Sequence, residues 1–403
     1  MAKGGSQFSL IRLMENVRDI MRNPEIVLNS LIKHSGDSSY KFERLYKVLF
    51  NEEMYYTAYQ KIYSKVGNMT KGIDGKTIDG MSISRIERLI ESIKNESYQP
   101  NPSKRIYIPK KNGKKRPLGI PSFDDKLVQE VIRMILEAIY EGYFEHTSHG
   151  FRPQRSCHTA LISVQQSFTA VRWFIEGDIK GFFDNINHEV LIGILKERIN
   201  DDRFIRLIRK FLNAGYIEDW MYHKTFSGTP QGGIISPILA NIYLDKLDKY
   251  VKEYIKEFDK GERTTATRQY RLYEQRRYRL AKKLECETDE TVRAKMIADI
   301  KELRQERNKY PAYNKMDSSY RKLKYVRYAD DFLIGVIGSK QDCKRIKDDI
   351  KNFLIEKLKL ELSDEKTLIT NAKKPAKFLG FDVYVRKSNE TKRDKHGRTV
   401  RCF

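Results

Sequence analysis

The sequence predicts an α+β fold, with helices packed on one side of an antiparallel sheet. Three observations predict it. Apolar residues recur every three or four positions over long stretches, the spacing of amphipathic helices. Shorter runs rich in Ile, Val, Tyr and Phe, bounded by Gly, Asn, Asp and Pro, read as strands joined by tight turns. The two kinds interleave along 403 residues whose hydrophobic fraction of 40% suffices for a substantial buried core.

Helical spacing runs from Leu10 to Leu31 and again from Phe42 to Tyr63. A Gly-rich turn, Lys71-Gly72-Ile73-Asp74-Gly75, precedes an amphipathic helix from about Ser84 to Ile93. Arg105 to Pro121 reads as a β-hairpin with a basic tip, and Asp124 to Tyr143 again has helical periodicity. Val171 to Ile179 is a strand ending in an acidic residue, followed by a helix from His188 to Ile199 and a hairpin around Tyr216 to Phe226. Gly228-Thr229-Pro230-Gln231-Gly232-Gly233 then leads into a long apolar helix from Ile234 to about Tyr254. From about Lys256 to Leu323 the composition shifts to Tyr, Arg and Lys and then to mixed charge, which reads as an inserted helical unit. Tyr325 to Ile337 is strand, tight turn, strand, with Asp330-Asp331 in the turn. A helix from Gln341 to Leu358 and short strands, including Phe378 to Val385, finish the chain.

Lys plus Arg number 77 against 54 for Asp plus Glu, a formal net charge of +23. Such a field favours a polyanion. No apolar run approaches the ~20 residues of a spanning helix and no signal peptide opens the chain, so nucleic acid is preferred to lipid. Cys157, Cys286, Cys343 and Cys402 are scattered without a CxxC pair, as in a reduced, intracellular, cytoplasmic protein. His146, His149, Cys157 and His158 lack the spacing of the common zinc templates and read as ordinary residues.

The chemistry concentrates in a few carboxylates. Asp330 and Asp331 adjoin between apolar strands, where like charges repel and a hard, oxygen-seeking divalent ion is the natural resolution. Asp is also common in solvated turns, so the pair alone decides nothing. Asp178 ends the earlier strand and could bring a third carboxylate beside that turn. Strand alternation puts Glu176 on the same face, and Asp184 is near, so the residues themselves leave the ligand open.

Tyr328-Ala329-Asp330-Asp331, preceded by Asp178-Ile179-Lys180-Gly181-Phe182-Phe183-Asp184, resembles the reverse-transcriptase palm. Gly228 to Pro237 resembles the block that family carries between its acidic motifs. Gly72-Ile73-Asp74-Gly75, Ser148-His149-Gly150-Phe151-Arg152-Pro153 with Arg155-Ser156, Leu323 to Arg327 and Phe378-Leu379-Gly380 resemble group II intron-encoded proteins in particular. The blocks stand in family order from about residue 70 to 385.

The resemblance implies the fingers and palm of a right-hand polymerase, with an antiparallel palm sheet packed with helices, an N-terminal helical extension and a basic helical insertion. Residues 1–122 would be the extension and fingers, 123–184 palm, 185–226 fingers again, and 227–403 palm with the insertion at about 256–322. It implies an RNA-directed DNA polymerase whose Asp178, Asp330 and Asp331 hold two Mg²⁺, with the Ile179 carbonyl as an additional ligand. Phe183 would crowd a ribose 2′-hydroxyl while Phe182 packs inward, although Phe is ordinarily a core residue. Gln231 would meet the incoming nucleotide or the template. Lys110, or its neighbour Lys111, and Arg116 would clasp the triphosphate. The implied partners are a group II intron RNA as template and splicing substrate, a DNA primer or target, and dNTPs; a homodimer is left open.

Between Lys104 and Arg116 there are seven basic residues and no acid, so Lys104, Arg105, Lys111, Lys114 and Lys115 are expected on RNA, together with Arg152 and Arg155. The insertion carries eight basic residues and one acid between Arg263 and Lys283. There Arg268, Arg271, Arg276, Arg277 and Arg279 interleave with Tyr270, Tyr273 and Tyr278, cations for phosphates and rings for unpaired bases. The plainer alternative is an exposed helix whose tyrosines pack on the body. The motifs end shortly before Phe403, leaving no thumb, DNA-binding or endonuclease region, so intron binding is expected to outlast processive copying in this chain. A splicing cofactor without polymerase activity, and a retron or diversity-generating enzyme, are the alternatives.

Overall fold

Four helices open the described chain: α1 (Pro24–Ile32), α2 (Leu45–Val48), α3 (Glu52–Tyr63) and α4 (Ile83–Lys94). The computed structural model describes residues 23–386 except 110–112, 114, 219–220, 226–227, 229–231, 263, 311 and 313–318, and the backbone alone of 66, 68, 391–393 and 399–401. The helix expected from Leu10 therefore lies partly outside the described residues. Asn23, Asn51 and Ser82 accept backbone N–H groups at the starts of α1, α3 and α4, satisfying donors that a helix start leaves unpaired.

The hairpin β1 (Ser103–Pro109) and β2 (Lys115–Ile120) follows, then α5 (Phe123–Tyr140), α6 (Cys157–Ser167), β3 (Trp173–Asp178), the single turn α7 (Phe182–Asn185), α8 (His188–Lys196) and α9 (Asp202–Asn213). Next come β4 (Tyr216–Glu218), β5 (Met221–His223), the long α10 (Ser236–Phe258), and the inserted pair α11 (Arg268–Cys286) and α12 (Glu290–Lys309). β6 (Lys322–Tyr328), β7 (Asp331–Ile337), α13 (Lys340–Leu358), β8 (Ile369–Asn371), β9 (Ala376–Phe378) and β10 (Phe381–Val383) complete the body. The expected strand Phe378 to Val385 is broken because Leu379 and Gly380 take φ of 52° and 83°, turning β9 back along β10.

The fold is α+β. Its central sheet has the order β6-β7-β3-β8, antiparallel throughout, and a second sheet has the order β2-β1-β4-β5, with β1 and β4 parallel. Helices do not keep to one side of the central sheet, contrary to expectation. Ile175, Tyr325, Phe332, Ile334 and Val336 face a core shared with α5, α10 and α13. Phe174, Val326, Leu333 and Ile337 face a second core with Ala160 and Val164 of α6 and with β9. The cue is in the sequence: Phe332-Leu333-Ile334-Gly335-Val336-Ile337 is apolar without alternation, the mark of a strand covered on both faces.

Besides the single turn α7, two helices are absent from the expected elements. α6 buries little beyond Ala160 and Val164, so its apolar signal is faint; a Ser156–Thr159 capping box marks its start. α9 has Phe204, Ile205, Leu207, Ile208, Phe211 and Leu212 at clear helical spacing, and Asp201 caps it.

Candidate active site

β3 and β7 run antiparallel with Asp178 directly opposite Asp331, and β6 pairs Tyr328 with Asp331 across the turn. Paired residues in such a ladder have Cα atoms about 4.5–5.5 Å apart. Carboxylates 153 positions apart in the chain therefore share one face at one end of the sheet, with Asp330 beside them. The register is fixed by burial: a one-residue slip would exchange the two cores. Gly177 has no Cβ because the Phe332 ring occupies that place, 2.1 Å from where a Cβ would stand.

The charge is costly. Burial, then the neighbouring Asp330 and Asp178, push the Asp331 carboxyl up to about 6. Burial and Asp178 raise Asp330 as well, while the Arg116 and Lys366 charges oppose the rise. Lys366, from the segment after α13, sets its ammonium 2.9 and 3.0 Å from the two Asp178 carboxylate oxygens. Among the described residues no group of three or more His, Cys, Asp or Glu side chains is placed to hold a metal ion as it stands. Lys366 occupies the Asp178 carboxylate instead, its side chain otherwise largely exposed; three adjacent carboxylates are the oxygen-rich, anionic donor type that a hard divalent cation prefers.

Glu176 is excluded from this set by its own partners. It is buried, and its carboxylate accepts from the Thr370 hydroxyl and, at 2.7 Å, from the Lys377 backbone N–H. Asp184 lies exposed in α7. Ile179 follows Asp178 and bridges to Leu362.

The surroundings are aromatic and basic. Phe182 packs inward against Tyr243, and Phe183 meets Phe182 edge-on at 5.3 Å and Phe151 at 6.4 Å. Phe151 is half exposed and also touches Tyr328. Gly228 and Gly232 approach this corner closely: a Cβ on Gly228 would stand 2.7 Å from the Phe183 carbonyl and one on Gly232 would stand 2.4 Å from that of Gly119 in β2. From the second sheet, the Arg116 charge on β2 acts on Asp330 of the acidic turn. Lys110, Lys111, Lys114 and Gln231 lie outside the described residues.

The expected RNA contacts divide. Lys104, Lys115 and Arg116 are exposed, whereas Arg105 is half-buried over the Tyr216 ring at 3.8 Å and beside Glu218. Arg152 corrects the expectation: it is buried, forks onto the Glu141 carboxylate and donates to the Glu141, Glu145 and Ser148 carbonyls, so no N–H is left for a phosphate. Arg155 donates to the His146 and Ser148 carbonyls. On α11, Arg268, Arg271, Arg276 and Arg279 are exposed, while Arg277 pairs with Glu274 at 2.6 Å. Tyr270 lies under Arg307 and Tyr273 stacks on Tyr310, so these two rings hold α12; Tyr278 is exposed.

Lys366 and Phe151 went unrecognised in the sequence. No spacing links Lys366 to an aspartate 188 positions away. Phe151 stood inside a recognised motif block, and its place beside the acidic turn depends on the fold.

Residues 108–270 and 303–383 match the family described as reverse transcriptase (RNA-dependent DNA polymerase). The chain is 50% identical over 378 residues to the group II intron-encoded protein LtrA of Lactococcus lactis subsp. cremoris, covering 93% of this chain and 62% of that protein. It is 39% identical over 369 residues to a COX1/OXI3 intron 1 protein of Saccharomyces cerevisiae, covering 91% and 42% respectively. Protein YkfC of Escherichia coli is 33% identical over 360 residues, covering 87% of this chain and 86% of its own length. The chain thus spans less than two thirds of the first two relatives. No helix among its described residues is long and apolar enough to cross a membrane.

Proposed function

The chain belongs to the reverse transcriptase (RNA-dependent DNA polymerase) family, among its group II intron-encoded members, and on that premise we propose that it copies a group II intron RNA into DNA and binds that RNA to assist splicing. The observation that carries this is the register of β3 on β7, which sets Asp178 against Asp331 with Asp330 adjacent. In this account the central sheet is the palm and the second sheet the fingers, with α11 and α12 as the basic insertion. The segments are 1–122, 123–184, 185–226 and 227–403, as the motif order implies.

Asp178, Asp330 and Asp331, with the Ile179 carbonyl, would hold two Mg²⁺, which when bound would supply activation of the primer 3′-hydroxyl and charge compensation for the departing pyrophosphate. Arg116 and Lys110 or Lys111 grip the triphosphate, Arg as a fork and Lys as a point charge. Phe183 is buried in the core between Phe182 and Phe151, 7% exposed, and in this account it is the small edge left uncovered that crowds the sugar and excludes a 2′-hydroxyl. Gln231 meets the nucleotide or template. Lys366 balances part of the acidic charge whenever no other cation does.

RNA lies along Lys104 and Lys115 of the hairpin and along Arg268, Arg271, Arg276 and Arg279, whose exposed cations run down α11. Tyr278 is the ring placed for a base.

Three outcomes are expected. With Mg²⁺, dNTPs and a primed RNA template, the protein extends the primer, and Asp330→Ala lowers the rate by more than about a hundredfold, a loss of several kcal/mol of charge stabilisation, while RNA affinity is kept. Undiminished synthesis by that variant contradicts the assignment. Phe183→Ala admits ribonucleotides about tenfold or more better, read from competing rNTP and dNTP incorporation; unchanged sugar selectivity removes Phe183 from this role. Replacing Arg268, Arg271, Arg276 and Arg279 by Gln weakens intron binding and flattens its log-log salt slope by roughly 0.7–0.9 for each phosphate no longer neutralised. An unaltered slope returns α11 to a packing role.

A further inference from the structure

Arg327 lies in β6, three residues before Asp330, and its side chain is completely buried. A guanidinium taken out of water needs its N–H groups matched, and here they are. Nε and Nη2 fork onto Asp248 of α10 at 2.7 and 2.6 Å, and Nη2 also donates to the Ser148 hydroxyl at 2.7 Å. Nη1 donates to the Asn241 side-chain carbonyl at 3.2 Å and to the Ala329 backbone carbonyl at 2.8 Å. Asp248 further accepts from the Tyr325 hydroxyl, and the Asn241 amide donates to the Gly150 carbonyl.

The Ala329 carbonyl belongs to the peptide that leads into Asp330. Ala329 itself has φ of 54°, a left-handed conformation that a residue with a side chain rarely adopts. Such a conformation persists only where its surroundings impose it. Two contacts impose it here. Arg327 holds the carbonyl from inside, and Gly150 abuts the other side, where a Cβ would stand 2.3 Å from the Ala329 nitrogen. The Ser148–Pro153 block, α10 and the acidic turn are thus joined at one buried cation.

We infer that Arg327, anchored by Asp248, is a positioning residue that fixes the Ala329–Asp330 peptide and so aims Asp330 and Asp331 at Asp178. This rests on the metal-holding role given above to those carboxylates. Arg327 touches neither substrate nor ion and acts through the turn. Stability alone does not explain it, because a buried ion pair replaced by well-packed apolar residues often leaves a protein as stable or more so. What apolar residues cannot supply is the donor to the Ala329 carbonyl.

The test follows from that difference. Arg327→Met, Asp248→Leu and Tyr325→Phe are combined, removing both charges and the dependent hydroxyl together. Thermal melting, Mn²⁺ binding by electron paramagnetic resonance, and kcat and KM for primer extension are measured on this protein and its parent. The inference expects melting close to the parent, Mn²⁺ affinity and kcat each lowered about tenfold to a hundredfold as for other groups that orient metal ligands, and KM for primer–template unchanged. Arg327→Lys keeps the charge but not the fork and falls between. A variant that melts like the parent and keeps Mn²⁺ affinity and kcat within about twofold, the lower end of what side chains acting through a packed network give, overturns the inference. Should the triple variant not fold, Arg327→Lys decides the matter by the same readouts, with Gly150→Ala, which pushes on the turn while leaving the Arg327–Asp248 pair in place, as its companion. A parent with no Mn²⁺ site sensitive to Asp330→Asn overturns the metal role itself, and the positioning role with it.

Discussion

Mutual repulsion among Asp178, Asp330 and Asp331 is the constraint to which the rest of the structure answers. Strand pairing puts Asp178 and Asp331 face to face, and half-burial removes much of the water that would screen them. Left alone, such a cluster would drive the turn apart or protonate, and Asp331 is already pushed up to about 6. The sheet does not yield, because both of its faces are packed. One face is closed by α5, α10 and α13, the other by α6 and β9, so the strands hold the carboxylates at a spacing they would not choose. A site strained in this way favours added positive charge, and Lys366 and Arg116 already lean toward it.

Around that end of the sheet, apolar and polar contacts divide the work. Gly177 makes room for Phe332, and Gly228 and Gly232 themselves lie close on the backbone of Phe183 and of β2. Phe151 and Phe182 brace Phe183 from two directions. Beneath them the Arg327–Asp248 pair joins α10 to the turn. On the proposed reading, sugar selection and positioning of the carboxylates fall to different side chains on neighbouring elements.

Much of this was legible in the sequence, and the exceptions have physical reasons. The acidic turn, β3, the basic hairpin, α4, α5, α8, α10 and α13 all carry strong local periodicity or turn chemistry. Periodicity left Glu176 beside Asp178, since both share a face, and only the family resemblance named Asp178; the partners that occupy Glu176, Thr370 and Lys377, lie about two hundred residues away. Arg152 shows the converse error. A basic residue in a family motif block reads as a phosphate ligand until Glu141 is seen to occupy its fork. In α11 the same lesson divides the tyrosines, for Tyr270 and Tyr273 serve α12 and leave Tyr278 exposed. Long-range pairing of polar groups is what a one-dimensional pattern does not encode.

The central claim is that the three aspartates, joined by the Ile179 carbonyl, gather divalent cations at the end of the β3–β7 ladder. Anomalous diffraction from crystals equilibrated with Mn²⁺ tests it most directly. The account predicts a peak bridging Asp178 and the Asp330–Asp331 turn at about 2.1 Å from carboxylate oxygens, the distance of small octahedral ions, with the Lys366 ammonium withdrawn from Asp178. A saturated crystal with no peak there, and Lys366 still seated on Asp178, would contradict it.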